Sequence, residues 1–406
     1  MNFFKDFLRT INTQRLRTFL TLFGIVWGTA SLIILLAFGM GFRDQLELNM
    51  RGLGDRIVIV FGSNTTKAHE GYGIGRQIQL REGDVHALEQ NIPAISKIAP
   101  EYATWNAEIR KGDRRNSPML TGIPVVYSEM RNIYAREGGR WISDRDVAER
   151  RRVVFLGDHL KQLLFDDEEA VGQQVFVNNT PFTVIGVMQT KSQDSSYGQR
   201  DRDRAFIPMT TYSTLFGTDR LHNFIYQVED PGLNAYVESQ VYEVLGRRHR
   251  FDPADSDALG VWDTSQMWEF FKYFFLGFNS FMGAIGAVTL AVGGIGVANI
   301  MFVVVQERMR EIGIRRSVGA KRRSILALFF GETFLLVGIG AAIGYLIGWG
   351  IVVLMQHLPA EEIVGTPQFT PIVGLYAFLV LALIGLAAGF MPAVRASRLN
   401  IVDCIK

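Results

Sequence analysis

Polar and apolar residues are arranged in three different ways along this chain. From Met1 to Arg17, Phe3, Phe4, Phe7, Leu8 and Ile11 are set against Lys5, Arg9, Arg15 and Arg17, the pattern of a short amphipathic helix lying among lipid headgroups. Thr18 to Gly41 then carries no charged residue, and at about 1.5 Å per residue it can cross a hydrocarbon layer of roughly 30 Å. A cleavable leader is the competing reading of a basic start before an apolar run. The run exceeds the roughly 7 to 15 residues of such a core and lacks a clear A-x-A site, so the expectation is an uncleaved first membrane helix over 18–41. Further apolar stretches predict a second span over 279–305, a third over 325–355 and a fourth over 369–391. Trp262, Trp268, Phe270, Phe271, Tyr273, Phe274 and Phe275 precede the second span and fit an interfacial aromatic belt.

Between the first two spans, residues 43–270 have the pattern of a water-soluble α+β domain, expected to have two lobes. Arg56 to Phe61 predicts a strand from its β-branched content. Leu80 to Ile98 predicts a strand end and a helix, with Asp84 as its N-cap and Pro93 as its stop. Val153 to Phe165 reads as strand, turn at Gly157 and helix, and Ala235 to Leu245 as a helix. Gln174–Val177 and Phe182–Val187, joined through Asn178-Asn179-Thr180-Pro181, predict a hairpin, and Phe206 to Pro208 another strand. Gln189 to Arg204 interleaves Lys, Asp, Ser and Arg and is expected to be a solvated loop. The 48% hydrophobic composition is thus concentrated at the N-terminus and in the last third. The single cysteine, Cys404, cannot form an intramolecular disulfide, so the polar domain is held by its own core.

Charge sets the expected orientation. Residues 1–17 carry four Lys and Arg, 306–323 seven and 392–406 three, whereas 357–371 carry none. By the positive-inside rule both termini and the 306–324 loop are cytoplasmic, and the large domain and the 356–368 loop lie outside.

No P-loop, H-E-x-x-H or G-x-S-x-G motif is present, and Gly71-Tyr-Gly-Ile-Gly75 opens no helix as a nucleotide fingerprint would. Asp158 and His159 read as solvated or capping groups, which leaves no catalytic constellation for an anchored enzyme. The first two spans hold no ionisable side chain, which argues against ion-gradient coupling. Glu332 in the third span either hydrogen-bonds within the bundle or snorkels to the interface, and its position near the span's end favours the latter. Small residues spaced by four, Gly24 and Gly28, Gly283 with Ala287 and Ala291, Gly340, Gly344 and Gly348, and Gly385 and Gly389, predict close helix packing. A general enrichment of glycine in membrane helices also produces such pairs, although three successive steps in the third span favour packing there.

What remains is the stretch from Glu307 to Arg323, with seven basic and two acidic residues between two spans. Glu311 and Arg315 stand four apart, Met309 with Ile312 and Ile314 with Val318 supply apolar anchors, and Gly319-Ala320 predicts a turn after a short helix. A solvated topogenic loop has no use for ordered apolar residues, so the pattern points to docking.

At these residues the chain resembles the permeases of MacB-, LolC- and FtsX-type ABC transporters: Glu307-x-x-x-Glu311-Ile-Gly-Ile-Arg-Arg-Ser-Val-Gly-Ala320 is similar to the signature after their second membrane helix. Arg140-Trp-Ile-Ser-Asp144, Val154-Phe-Leu-Gly157 and Val184-Ile-Gly-Val187 resemble the MacB-like periplasmic core domain. The resemblance implies a four-helix membrane part with an α+β extracytoplasmic domain, in the bacterial inner membrane. It also implies a coupling helix made by Glu307, Arg310, Glu311, Ile312, Gly313, Ile314, Arg315, Arg316, Gly319 and Ala320. No cofactor is expected in this chain, since ATP and Mg would be bound by the ATPase. Because the chain starts at the amphipathic helix, that ATPase is expected to be a separate protein. The other implied partners are a second permease subunit, membrane lipids and a periplasmic adaptor with an outer-membrane channel, and no nucleic acid. The implied function is export of drugs, peptides or lipoproteins by mechanotransmission; the alternative is an FtsX-like regulator of an extracytoplasmic enzyme such as a cell-wall hydrolase.

Overall fold

The computed structural model describes residues 15–54, 56–193, 196–357, 367 and 371–398. Most of the expected N-terminal amphipathic segment, the 356–368 loop and the extreme C-terminus lie outside these residues. The chain divides into two compact units, one formed by residues 1–45 with 272–406 and the other by Leu46–Phe271.

The membrane-type unit is built on four helices long and apolar enough to cross a bilayer. They are α1 (Arg15–Leu53), α8 (Thr264–Glu307), α10 (Arg322–Met355) and α11 (Pro371–Arg398), with the short α9 (Met309–Ser317) between α8 and α10. The helices outrun the expected spans. α1 continues twelve residues past Gly41 because Arg43, Asp44 and Glu47 are compatible with a helix once it has left an apolar layer. α11 runs through Pro392, so the expected tail begins as helix. Their core gathers Ile25, Leu32 and Ile33 with Leu290, Val297 and Val304, then Phe329, Leu336 and Val337, and Leu381, Ala388 and Ala393.

The second unit is one eleven-stranded sheet in the order β11-β1-β10-β2-β5-β9-β6-β8-β7-β3-β4. Its first half comprises β1 (Ile57–Gly62), β2 (Ile95–Thr104), β10 (Asn223–Val228) and β11 (Leu259–Asp263), all antiparallel. Its second half comprises β3 (Ile109–Lys111), β4 (Arg114–Asn116), β5 (Leu120–Ile123), β6 (Val153–Leu156), β7 (Gln174–Val177), β8 (Thr180–Val187) and β9 (Ala205–Pro208). That half is inserted between β2 and β10, and ten-residue β2 joins the two. Ile95–Glu101 pair with β10, and Tyr102–Thr104 pair with β5. The two lobes expected from the sequence are therefore two halves of one sheet.

Alternation along the strands separates two cores. Val58 and Val60 enter the larger one and Ile57 and Ile59 the smaller, as the period of two along a strand requires. The larger core is covered by α2 (Glu82–Asn91), α5 (Asp158–Phe165), α6 (Met209–Phe216) and α7 (Asn234–His249) through Leu88, Leu160, Tyr212 and Val241. The smaller is covered by α3 (Tyr127–Arg131) through Tyr127 and Met130, with Ile133 and Met188 in the same cluster, and α4 (Asp144–Ala148) adjoins α6, whose Thr210 hydroxyl donates to the Val147 carbonyl. The predicted hairpin is present as β7 and β8, and its turn residues Asn178 and Asn179 have φ of 45° and 66°. Positive φ at both positions is the type I′ geometry that matches strand twist, and Asn tolerates it.

Two expectations are corrected in this unit. Asp84 is not the N-cap of α2: it sits at the third helical position, and its carboxylate accepts from the backbone N–H of Arg81 at 2.9 Å. It also receives Arg248 and His249, each at 2.7 Å. Burial opposes its ionisation, but these partners hold its carboxyl below the usual range. The polar segment 189–204 is not simply solvated, because Gln193, Asp201 and Arg204 are buried. Asp201 accepts from Arg131 Nη2 at 2.8 and 3.0 Å and lies 2.8 Å from Lys191 Nζ. Arg204 donates to Glu101 at 3.1 Å, and Glu101 also accepts from Tyr197 at 2.5 Å and Asn223 at 3.0 Å. Burial alone would raise the Asp201 carboxyl, but Arg131, Lys191 and Arg204 hold it well below its ordinary value. This cluster ties α3 and the 189–204 segment to β2 and β10, at the junction of the two sheet halves.

Candidate functional site

The stretch singled out in the sequence forms a helix with two unlike faces. α8 ends at Glu307, Arg308 adopts φ −101° and ψ 15°, and α9 begins at Met309. Hydrogen bonds span the bend, from Arg308 N–H to Val304 at 3.1 Å and from Ile312 N–H to Arg308 at 3.0 Å. At the far end, Gly319 has φ 96°. The N–H of Ala320 reaches the carbonyl of Arg315 at 3.0 Å and that of Gly319 the carbonyl of Arg316 at 3.2 Å. This pair of bonds is the Schellman termination, which needs a left-handed residue and therefore favours glycine. The predicted turn at Gly319-Ala320 is thus a defined cap that fixes where α9 stops and α10 starts.

Of the ten residues singled out on this stretch, Ile312 and Gly313 are buried, and Ile312 joins the core of Ile325 and Phe329. Arg315, Arg316 and Ala320 are half-buried, and Ala320 packs against the same core. Glu307, Arg310, Glu311, Ile314 and Gly319 are exposed. The apolar residues therefore split. Ile312 faces its own protein, whereas Ile314 is 52% and Val318 84% exposed, and Met309 is also exposed. An exposed apolar pair, with Arg310 and Glu311 one turn before Ile314, thus stands at the capped end of α9. Sequence spacing alone could not assign the faces, since Met309–Ile312 and Ile314–Val318 are both acceptable helical pairs.

Glu332, expected to snorkel, is instead 5% exposed and accepts from Arg308 Nη1 at 2.7 Å. The reason is geometric: the bend after α8 brings a guanidinium to it, so the carboxylate need not reach water.

The small residues sort by contact. A Cβ on Gly24 or Gly28 of α1 would meet α8 at Gly293 Cα (3.5 Å) or Leu290 (2.8 Å). On α10, one at Gly340, Gly344 or Gly348 would meet Ile25 (2.9 Å), the Val26 carbonyl (2.6 Å) or Ile33 (3.2 Å) of α1. Gly385 and Gly389 of α11 face Val337 (3.6 Å) and Thr333 (3.1 Å). Gly283 differs, since a Cβ there meets nothing within 4 Å. The close approaches of α8 come from Gly286, Gly293, Gly294 and Gly296, which a spacing-of-four search passed over. Among the described residues no group of three or more His, Cys, Asp or Glu is placed to hold a metal ion.

These features agree with comparisons to known proteins. The MacB-like periplasmic core domain family matches residues 18–243, and the FtsX-like permease C-terminal family matches residues 283–401. The macrolide export ATP-binding/permease protein MacB of Hyphomonas neptunium is 32% identical over 399 residues, covering 98% of this chain and 59% of that protein. The protein of the same name from Bdellovibrio bacteriovorus is 27% identical over 401 residues, covering 98% and 60%. The chain thus spans about three-fifths of the length of these curated relatives. The solved periplasmic region of MacB from Actinobacillus actinomycetemcomitans is similar to 56% of this chain and 98% of its own, at 22% identity and a TM-score of 0.44. With a family match over more than half its length and a second over the helices that flank α9, the chain belongs to the MacB/FtsX-type family of ABC transporter permeases.

Proposed function

We propose that this chain transmits ATP-driven motion of an ATPase partner, received on α9, to its sheet domain. In this reading it works as a homo- or heterodimer, with both termini and α9 cytoplasmic and the sheet domain periplasmic. Substrate is handled on the periplasmic side, where a drug, peptide or lipoprotein would meet the sheet domain and an adaptor. ATP and Mg are held by the ATPase partner.

The observation that carries the reading is the two-faced α9. Ile312 anchors it inward, the Schellman cap fixes its end, and Ile314 and Val318 remain outward. The relatives named above are described as export ATP-binding/permease proteins, which supports an ATPase as the occupant of that face. The uncharged stretches 18–41 of α1 and 279–305 of α8 support stiff transmission over a wet pathway. The test is Ile314→Glu in the full-length chain. We expect normal membrane insertion with loss of ATPase co-purification and of export. Retention of both at the unmodified level would refute the assignment.

A further inference from the structure

We infer that the Arg308–Glu332 ion pair is a positioning contact that makes α9 move as one body with α10. The inference rests on the reading of α9 as the docking helix, but concerns different residues on its other side. Arg308 occupies the bend at which α8 gives way to α9. Its guanidinium lies 2.7 Å from Glu332, with the two side chains 17% and 6% exposed. Glu332 is held between Phe329 and Thr333, both buried in α10, and Thr333 turns its own hydroxyl back to the Phe329 carbonyl at 2.9 Å. One turn after Arg308, Ile312 adds an apolar contact on the same helix face, within the core that contains Ile325 and Phe329. Two successive turns are thereby held from one side, one by a directed ion pair and the other by packing.

Stability alone is a poor explanation for the pair. An apolar pair of similar volume is commonly as stable as a buried ion pair, because desolvation offsets the attraction. What the ion pair adds is direction, since a guanidinium and a carboxylate satisfy one another over a narrow range of geometry. With a bend on one side and a glycine cap on the other, that direction sets the angle at which Ile314 and Val318 are presented.

The experiment uses the full-length chain with Cys404→Ser, spin labels at Val318 and at exposed Leu346 of α10, and pulsed dipolar distance measurement in lipid nanodiscs. The parent should give a narrow distribution. Arg308→Met with Glu332→Met should preserve the thermal midpoint yet broaden the distribution about twofold, as a contact that supplies direction requires. The exchange Arg308→Glu with Glu332→Arg should narrow it again. A distribution in the double methionine variant as narrow as the parent's would overturn the inference, as would a failure of the exchange to narrow it. No ATPase is present in this measurement. A null result here beside a positive Ile314→Glu result would remove only the positioning role, whereas the reverse pair of results would remove the docking reading.

Discussion

Replacing Asp201 by Asn tests whether the buried cluster in the sheet domain is held by charge or only by shape. Asn is nearly isosteric, so packing is kept while the carboxylate that faces Arg131, Lys191 and Arg204 is lost. The variant leaves three cations against Glu101, with Arg131 and Arg204 both 0% exposed. Removing one partner of a buried pair costs about 3 to 5 kcal/mol, chiefly through the uncompensated charge left behind. The lower end applies, since the Asn amide oxygen still accepts from a guanidinium. With an unfolding entropy of about 2.1 cal/mol/K per residue over roughly 200 residues, about 3 kcal/mol lowers the midpoint by about 6 to 7 °C. The assay is calorimetry of the full-length chain in detergent, read at the transition of the sheet domain. The effect also has a signed pH dependence. The folded carboxyl is held below its unfolded value, so its contribution is complete above about pH 5 and is lost as the pH falls through the acid range. Parent and variant should therefore converge towards pH 3. A variant that melts within about 1 °C of the parent at pH 7, or a gap that widens in acid, would refute the account of the cluster.

Gly344→Ala should cost about 1 to 3 kcal/mol, because the new methyl falls 2.6 Å from the Val26 carbonyl, whereas Gly283→Ala should be neutral or slightly stabilising. Equal losses of thermal stability at both positions would contradict the packing faces. Gly319→Ala should cost about 1 kcal/mol through its φ of 96° and speed hydrogen exchange at the Gly319 and Ala320 amides; unchanged exchange there would contradict the cap. Asn179→Gly should raise the midpoint of the sheet domain slightly, by a few tenths of a kcal/mol, since its φ of 66° suits glycine better. A lower midpoint would argue against the type I′ turn.

How much of this was legible in the sequence depends on which physical signal each element carries. The β7–β8 hairpin was readable because Asn178-Asn179 is local turn chemistry between two alternating runs. The four long helices were readable because uncharged length is nearly sufficient. Asp84 was placed on the correct helix but at the wrong position, since a carboxylate at the third helical residue caps as well as one at the first. Composition does not distinguish a solvated charge in the 189–204 segment from one matched at a distance, as Asp201 is by Arg131, which lies 70 residues earlier. The same limit applies to Glu332, whose partner Arg308 lies 24 residues earlier, in the bend before α9. In α8 the apolar residues run all round, so no moment selects a face, and Gly283 and Gly286 were equivalent until α1 was placed beside one of them.

The change of partner along β2 makes the second half of the sheet a cassette. The chain leaves the four-stranded half at Thr104 and rejoins it at Asn223, and the two ends already meet, since the N–H of His222 donates to the carbonyl of Glu101 at 2.9 Å. The Trp105 and His222 rings touch at 5.2 Å. A short turn can bridge such a gap, so the strand order of the four-stranded half does not depend on the length of what is spliced into it. Excision would leave Glu101 without Arg204 and Tyr197, and would bare Ile57, Ile59 and Ile225, which Tyr127 and Met130 of the spliced half cover. A cassette can therefore change in length or shape without rewiring the base, provided that it brings its own cover for the face that Ile57 and Ile59 share.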